Sequence, residues 1–149
     1  MLRRLMLTDD DISRTLVRLF LGLVMFPHGA QKMLGWFGGG GFSGTMQGMT
    51  GMGLPAVVVF LVILIEFFGS LGLIFGFLGR VAAFGVLCVM LGAVFTVHLP
   101  NGFFMNWMGN QKGEGFEYHL LAIGMALAIM VKGSGAYSVD RSITKGEAR

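Results

Sequence analysis

LPAVVVFLVILIEFFGSLGLIFGFL, residues 54–78, carries one charged side chain, Glu66, in an otherwise apolar run. A helix that crosses a bilayer needs about 20 mostly apolar residues, so this stretch reads as a membrane span with a carboxyl near mid-depth. Segments 81–99 and 116–132 meet the same requirement or nearly so. Segment 12–36 is the weakest: its centre, LFLGLVMF, is strongly apolar, but Arg14, Arg18, His28 and Lys32 lie toward its two ends. At about 1.5 Å per residue it still extends roughly 36 Å, and long basic side chains can snorkel to either interface. The expected fold class is all-α, an integral-membrane four-helix bundle forming a single domain over residues 1–149. A cleaved signal peptide is the competing reading of segment 12–36, but no small-x-small site follows its apolar core.

The composition agrees. Of 149 residues, 54% are hydrophobic and 13% charged, and the mean hydropathy is +0.74, whereas a soluble domain is about a quarter charged. The lone Cys88 excludes an internal disulfide and any Cys-x-x-Cys redox or zinc motif. A net charge of +3 and pI of 9.4 invite a nucleic-acid reading, but the basic residues are dispersed and lie mostly toward the termini. That pattern fits anchoring to anionic lipid better than a groove that tracks phosphates, so the bilayer, and no nucleic acid, is the expected partner.

Basic residues flanking the spans set orientation. Arg3, Arg4, Arg14 and Arg18 accompany the start of the first segment, Arg80 fills the second turn, and Lys132, Arg141, Lys145 and Arg149 follow the last. The opposite side has Lys32 and Lys112. Both termini are therefore expected in the cytoplasm, with outer loops at 37–53 and 100–115 and a cytoplasmic tail at 133–149. The first outer loop interleaves glycine with Trp36, Phe37, Phe42, Met46, Met49 and Met52 and reads as an interfacial helix or cap. Its methionines are soft Cu(I) ligands on one reading and apolar filler on the other. No Gly-Lys-Ser/Thr follows its glycines, so it is not a phosphate loop.

An ionisable residue at membrane depth costs about 2.5–3.5 kcal/mol on insertion scales and usually faces a partner inside the protein. Glu66 is the strongest case. It lies roughly 18 Å from the outer end of its segment and shares a stripe with Gly69 and Gly76, a mark of close helix packing. His28 and Lys32, four residues apart, share a face of the first segment, just after Pro27, which frees a backbone carbonyl and can kink a helix. His98 closes the third segment, and Glu117 and His119 open the fourth. The last two, about 200° apart on a helix, cannot both face inward, and Glu117 is favoured for the interior. His28, Lys32, Glu66, His98 and Glu117 are thus the candidate ligand-binding residues in the outer half of the bundle. Glu66 and His28 are the candidates for catalysis. Each has a bland alternative: Lys32 snorkelling, His98 and Glu117 capping helix ends, His28 bonded to a carbonyl, Glu66 bonded to Ser70 or Thr96.

Taken in order, RLFLGLVMFPHGAQKML, GFSGTMQGMTGMGLP, EFFGSLGLIFGFLGR, HLPNGFF, GFEYHLLAIG and KGSGAYSVDRSI resemble the DoxX family of small four-helix membrane proteins, over residues 18–143. The resemblance implies a multi-pass protein of the bacterial inner (cytoplasmic) membrane. Relatives are linked to thiosulfate:quinone oxidoreduction, to quinone or catechol detoxification, and to oxidative-stress assemblies with a sulfurtransferase and a superoxide dismutase.

Three functions stand open at this level. In the first, a quinone-like or other amphipathic ligand binds in the outer half of the bundle: His28 and Lys32 donate hydrogen bonds, Glu66 passes protons, and soluble or membrane redox proteins are partners. In the second, His28 and His98, with Glu66 or Glu117, form a haem or metal site, although no compact ligand motif supports it. In the third, the chain is a non-enzymatic scaffold for soluble redox enzymes.

Overall fold

The computed structural model describes residues 2–145, and its regular structure is all helical, with no strand among them. The elements are α1 (Leu2–Met6), α2 (Ile12–Leu34), α3 (Gly41–Gly51), α4 (Ala56–Phe75), α5 (Gly79–Asn101), α6 (Glu117–Lys132) and α7 (Val139–Lys145). Local chemistry sets the boundaries. Asp11 caps α2 by accepting from the Ser13 N–H at 2.8 Å. Gly35, with φ of 76°, ends the same helix in the left-handed conformation that glycine adopts without strain. α2 runs continuously through Pro27.

Two helices, α4 and α5, with mean hydropathy 2.7 and 2.2, are long and apolar enough to cross a membrane by length and composition. α2 carries three basic residues, and α6 has 16 residues, and neither is among the two helices that pass on length and composition. α2 lies along α4 and α6, and α5 lies along the same two helices. The shared core is Leu21, Met25, Leu73, Val86, Ala122, Ala126 and Ile129. Large apolar side chains also point outward, among them Phe20, Phe60, Phe75, Phe95 and Leu121, far more than a water-facing surface carries as one patch.

α2 meets α4 almost backbone to backbone. A Cβ on Gly29 would lie 2.5 Å from the Glu66 carbonyl, and one on Gly22 would lie 3.0 Å from the Ser70 carbonyl oxygen. The glycines that permit close approach are therefore on the first long helix. Gly69, expected in that role from its stripe with Glu66, has only ordinary contacts.

Segment 133–145, expected as part of a charged tail, folds back onto the helix ends and buries Ser134, Ser138, Asp140 and Thr144. Residues 146–149 of that expected tail lie outside the described residues. Asp140 accepts from the Leu78 N–H at 2.8 Å, the Gly79 N–H at 3.0 Å and the Ser134 hydroxyl at 2.6 Å. It thereby satisfies the free backbone amides where α5 begins. Arg18, 1% exposed, donates to five carbonyls: Leu73 and Ser134 at 2.8 Å, Ile74 at 2.5 Å, Tyr137 at 2.7 Å and Ala136 at 3.4 Å. Closer to solvent, hydrogen bonds from the Arg141 guanidinium lower the Asp10 carboxyl to about 2.

Candidate functional site

Arg18, Gly22, Met25, Gly29 and Lys32 follow one another at alternating four- and three-residue steps, which places them on one face of α2. Four of the five are buried against the other helices. Lys32 ends this stripe, and its Nζ donates to Glu66 Oε2 at 2.6 Å. Glu66 is 5% exposed and stands on a π-helical turn, Ile65–Gly69, that widens α4. Such wide turns occur mostly as single insertions and frequently at functional sites. Here the turn sits where Gly29 brings the two backbones together. The carboxyl faces α2 and pairs with Lys32; Ser70 and Thr96 spend their hydroxyls on the Phe67 and Gly92 carbonyls instead.

His28 lies one turn before Lys32 and feels the charges of both Lys32 and Glu66. Its ring approaches Tyr118 on α6, with centroids 6.4 Å apart. From Tyr118 the polar line continues to His119 at 5.4 Å and from His119 to His98 on α5 at 4.1 Å. The three histidines of the chain therefore belong to one chain of ring contacts running through Tyr118. His119 is 5% exposed, and its buried Nδ1 has no hydrogen-bond partner. His98 Nδ1 is 2.9 Å from the Glu114 carbonyl oxygen, which ties the far end of the line to the loop between α5 and α6. His98 also stands on a second π-helical turn, Val94–His98.

Glu117 is placed differently from the expectation. It is half-buried and accepts from the Met105 N–H at 2.8 Å and from the Trp107 indole at 3.3 Å, so it organises the same loop. His119 is the inward member of the pair. The reason is physical: a carboxylate in the first turn of a helix gains from the free amides and partial positive charge there, while a neutral imidazole loses less on burial than a carboxylate does. Among the described residues, no group of three His, Cys, Asp or Glu is arranged to hold a metal ion. The best-defined pockets lie at the opposite end of the molecule, beside α1 and α7.

A protein-family model described as DoxX matches residues 13–99, a span that includes both Lys32 and Glu66. The chain belongs to the DoxX family. Among curated proteins, this DoxX chain is 37% identical over 136 residues to "Inner membrane protein YqjF" of Escherichia coli (strain K12), covering 91% of the chain and 95% of that protein. It is 30% identical over 137 residues to "Putative oxidoreductase CatD" of Bacillus subtilis (strain 168), covering 92% and 91%. No solved structure matches the DoxX chain. Tyr118 and His119 lie beyond the matched segment, on α6.

Proposed function

We propose that this DoxX chain is a multi-pass protein of the bacterial inner membrane that serves redox chemistry by binding a quinone-like or other amphipathic ligand beside Lys32 and Glu66. In this reading α2, α4, α5 and α6 form one four-helix membrane domain with both termini cytoplasmic, and α3 and the loop at 102–116 lie outside. The names of its relatives, an inner membrane protein and an oxidoreductase designation, point the same way. So does the clustering of basic residues at the end that carries α1 and α7.

The observation that carries the proposal is the Lys32–Glu66 pair itself. Two charges taken out of water lose solvation that their mutual attraction does not reliably restore, and an apolar pair of similar size often serves stability equally well. A pair kept at such a place, on a widened helical turn, fits a role beyond packing. Lys32 retains about a quarter of its side-chain exposure, so its remaining N–H groups are available to a ligand oxygen. Glu66 accepts from a ligand hydroxyl or holds a proton released there, and His28 supplies a second donor one turn away. Tyr118, His119 and His98 extend a line of proton-exchanging groups from His28 toward the outer loop. The electrons of a redox reaction come from a partner protein or a bound cofactor.

Lys32→Met is expected to weaken retention of ubiquinone-1 or menadione by about tenfold, or about 1.4 kcal/mol, measured by equilibrium binding to purified protein. His28→Phe fills the space and should have an effect at least as large, while Glu66→Gln should preserve folding and binding but impair resistance to quinone stress. Ligand retention by Lys32→Met and His28→Phe equal to that of wild type, with unchanged quinone resistance in Glu66→Gln, would leave the pair a packing element. Topology is tested separately with a reporter enzyme active only outside the cytoplasm: inactive when fused after Arg149, active when inserted at Lys112. The reverse result would overturn the orientation.

A further inference from the structure

We propose that the groove between α1 and the start of α5 is a binding site for one anionic phospholipid of the cytoplasmic leaflet. The proposal rests on the membrane orientation given above and is independent of the ligand at Lys32 and Glu66. The groove has a volume of about 440 Å³ and is lined by Arg4, Leu5, Arg80, Val81, Phe84 and Met130.

Arg80 is the anchor. Its Nη1 donates to the Met130 carbonyl and to the Val131 carbonyl at 2.8 Å, and its Nη2 donates to the Leu7 carbonyl at 3.2 Å. These neutral acceptors hold the guanidinium at the groove wall, where α6 ends, but do not neutralise its charge. Its Nε is buried without a partner, and no carboxylate among the described residues lies within ion-pair distance of it. Arg4, exposed on α1, places a second positive charge at the same groove. Two guanidinium groups at one cavity with no acid between them repel each other unless an anion sits there, and a phosphate accepts from Arg4 and from the one Nη2 N–H that Arg80 has left, in charge-assisted hydrogen bonds.

The rest of the groove decides the source of that phosphate. Val81 and Phe84 are exposed apolar side chains, and at three- and four-residue steps they continue into Cys88, Leu91 and Phe95, all exposed on α5. The stripe extends about 21 Å along the helix, longer than the roughly 15 Å of one hydrocarbon leaflet. A head-group phosphate between two arginines above an apolar track is the shape of a phospholipid, and a soluble phosphate would have no use for the track. Basic pockets at the cytoplasmic ends of membrane helices suit such head groups.

The full chain in non-ionic detergent is titrated with phosphatidylglycerol or phosphatidylcholine of matched acyl chains, and bound lipid is read by native mass spectrometry. Phosphatidylglycerol should be retained in preference to phosphatidylcholine. Arg4→Gln, at an exposed side chain, should reduce its affinity about fivefold, the equivalent of about 1 kcal/mol. Lys112→Gln removes the same charge at the far end and should change nothing. Equal retention of the two lipids, equal loss in both variants, or displacement of phosphatidylglycerol by millimolar inorganic phosphate would each overturn the proposal. Because the reporter fusions test orientation without lipid, failure of the lipid site and failure of the membrane reading give separate results.

Discussion

Arg18→Met is expected to destabilise the protein by about 3–5 kcal/mol, the range for breaking a buried charged network from one side. The methionine fills most of the space but leaves the carbonyls of Leu73, Ile74, Ser134, Ala136 and Tyr137 without their shared donor. It also removes the positive charge that acts on the buried Asp140. Leu73 and Ala136 keep the Gly76 N–H and the Thr15 hydroxyl as donors; each acceptor left bare in a dry interior costs about 1–3 kcal/mol, and relaxation of segment 134–137 limits the total. Arg18→Lys should recover little, because an ammonium on a flexible stem cannot reproduce a planar fork that reaches several acceptors at once. Arg14→Gln, on a partly exposed neighbour, should cost less than about 1 kcal/mol. Unfolding midpoints in detergent, compared across the three variants, check the ordering. Similar midpoints for Arg18→Met and wild type would show that the carbonyls find other donors.

Gly29→Ala is the second substitution with a large expected effect, about 3 kcal/mol, at the upper end of ordinary overpacking. The added methyl would lie 2.5 Å from the Glu66 carbonyl carbon and oxygen and 2.6 Å from the Phe67 Cα. All are backbone atoms that cannot rotate away. α2 and α4 must separate, and the separation draws Lys32 away from Glu66. The variant should therefore lose thermal stability and, on the function proposed above, retention of the ligand at Lys32 and Glu66. Gly44→Ala, on α3 with open space around the new methyl, is the control. It should be neutral or slightly stabilising, since alanine favours a helix by up to about 1 kcal/mol over glycine. Matching losses at the two glycines would show that α2 and α4 are not in the close contact described.

How much of this was legible in the residues follows from the kind of signal each feature leaves. The helices are read from apolar runs, and their ends fall within a few residues of the expected places: 12–36 became Ile12–Leu34, and 54–78 became Ala56–Phe75. Glu66 was legible because a carboxyl in an apolar run must find a partner, and the i, i+4 relation of His28 and Lys32 put two polar groups on one face. Arg18 looks like one more basic residue flanking a span, and that hides its burial. Its place on the same stripe as Met25 and Lys32 was readable from spacing and points to the interior. Asp140 and Ser134 could not be read this way. Their burial depends on a turn, 133–138, whose left-handed Gly133, Gly135 and Tyr137 leave no periodic pattern. The π-helical turns at Glu66 and His98 are likewise local insertions in otherwise regular helices, and only the packing around them selects that geometry.

The hook that closes on Arg18 also has a place in time. Arg18 belongs to the first long helix to leave the ribosome, yet its Ser134 acceptor is made 116 residues later. At about 5–20 residues per second of synthesis, the guanidinium meets the Leu73 and Ile74 carbonyls first and waits about 6–23 s for Ser134. A chain released before residue 134 would leave Arg18 with the Leu73 and Ile74 carbonyls alone and the amides of Leu78 and Gly79 uncapped. Residues 134–140 thus supply the last partners that Arg18, Leu78 and Gly79 acquire as the chain is made.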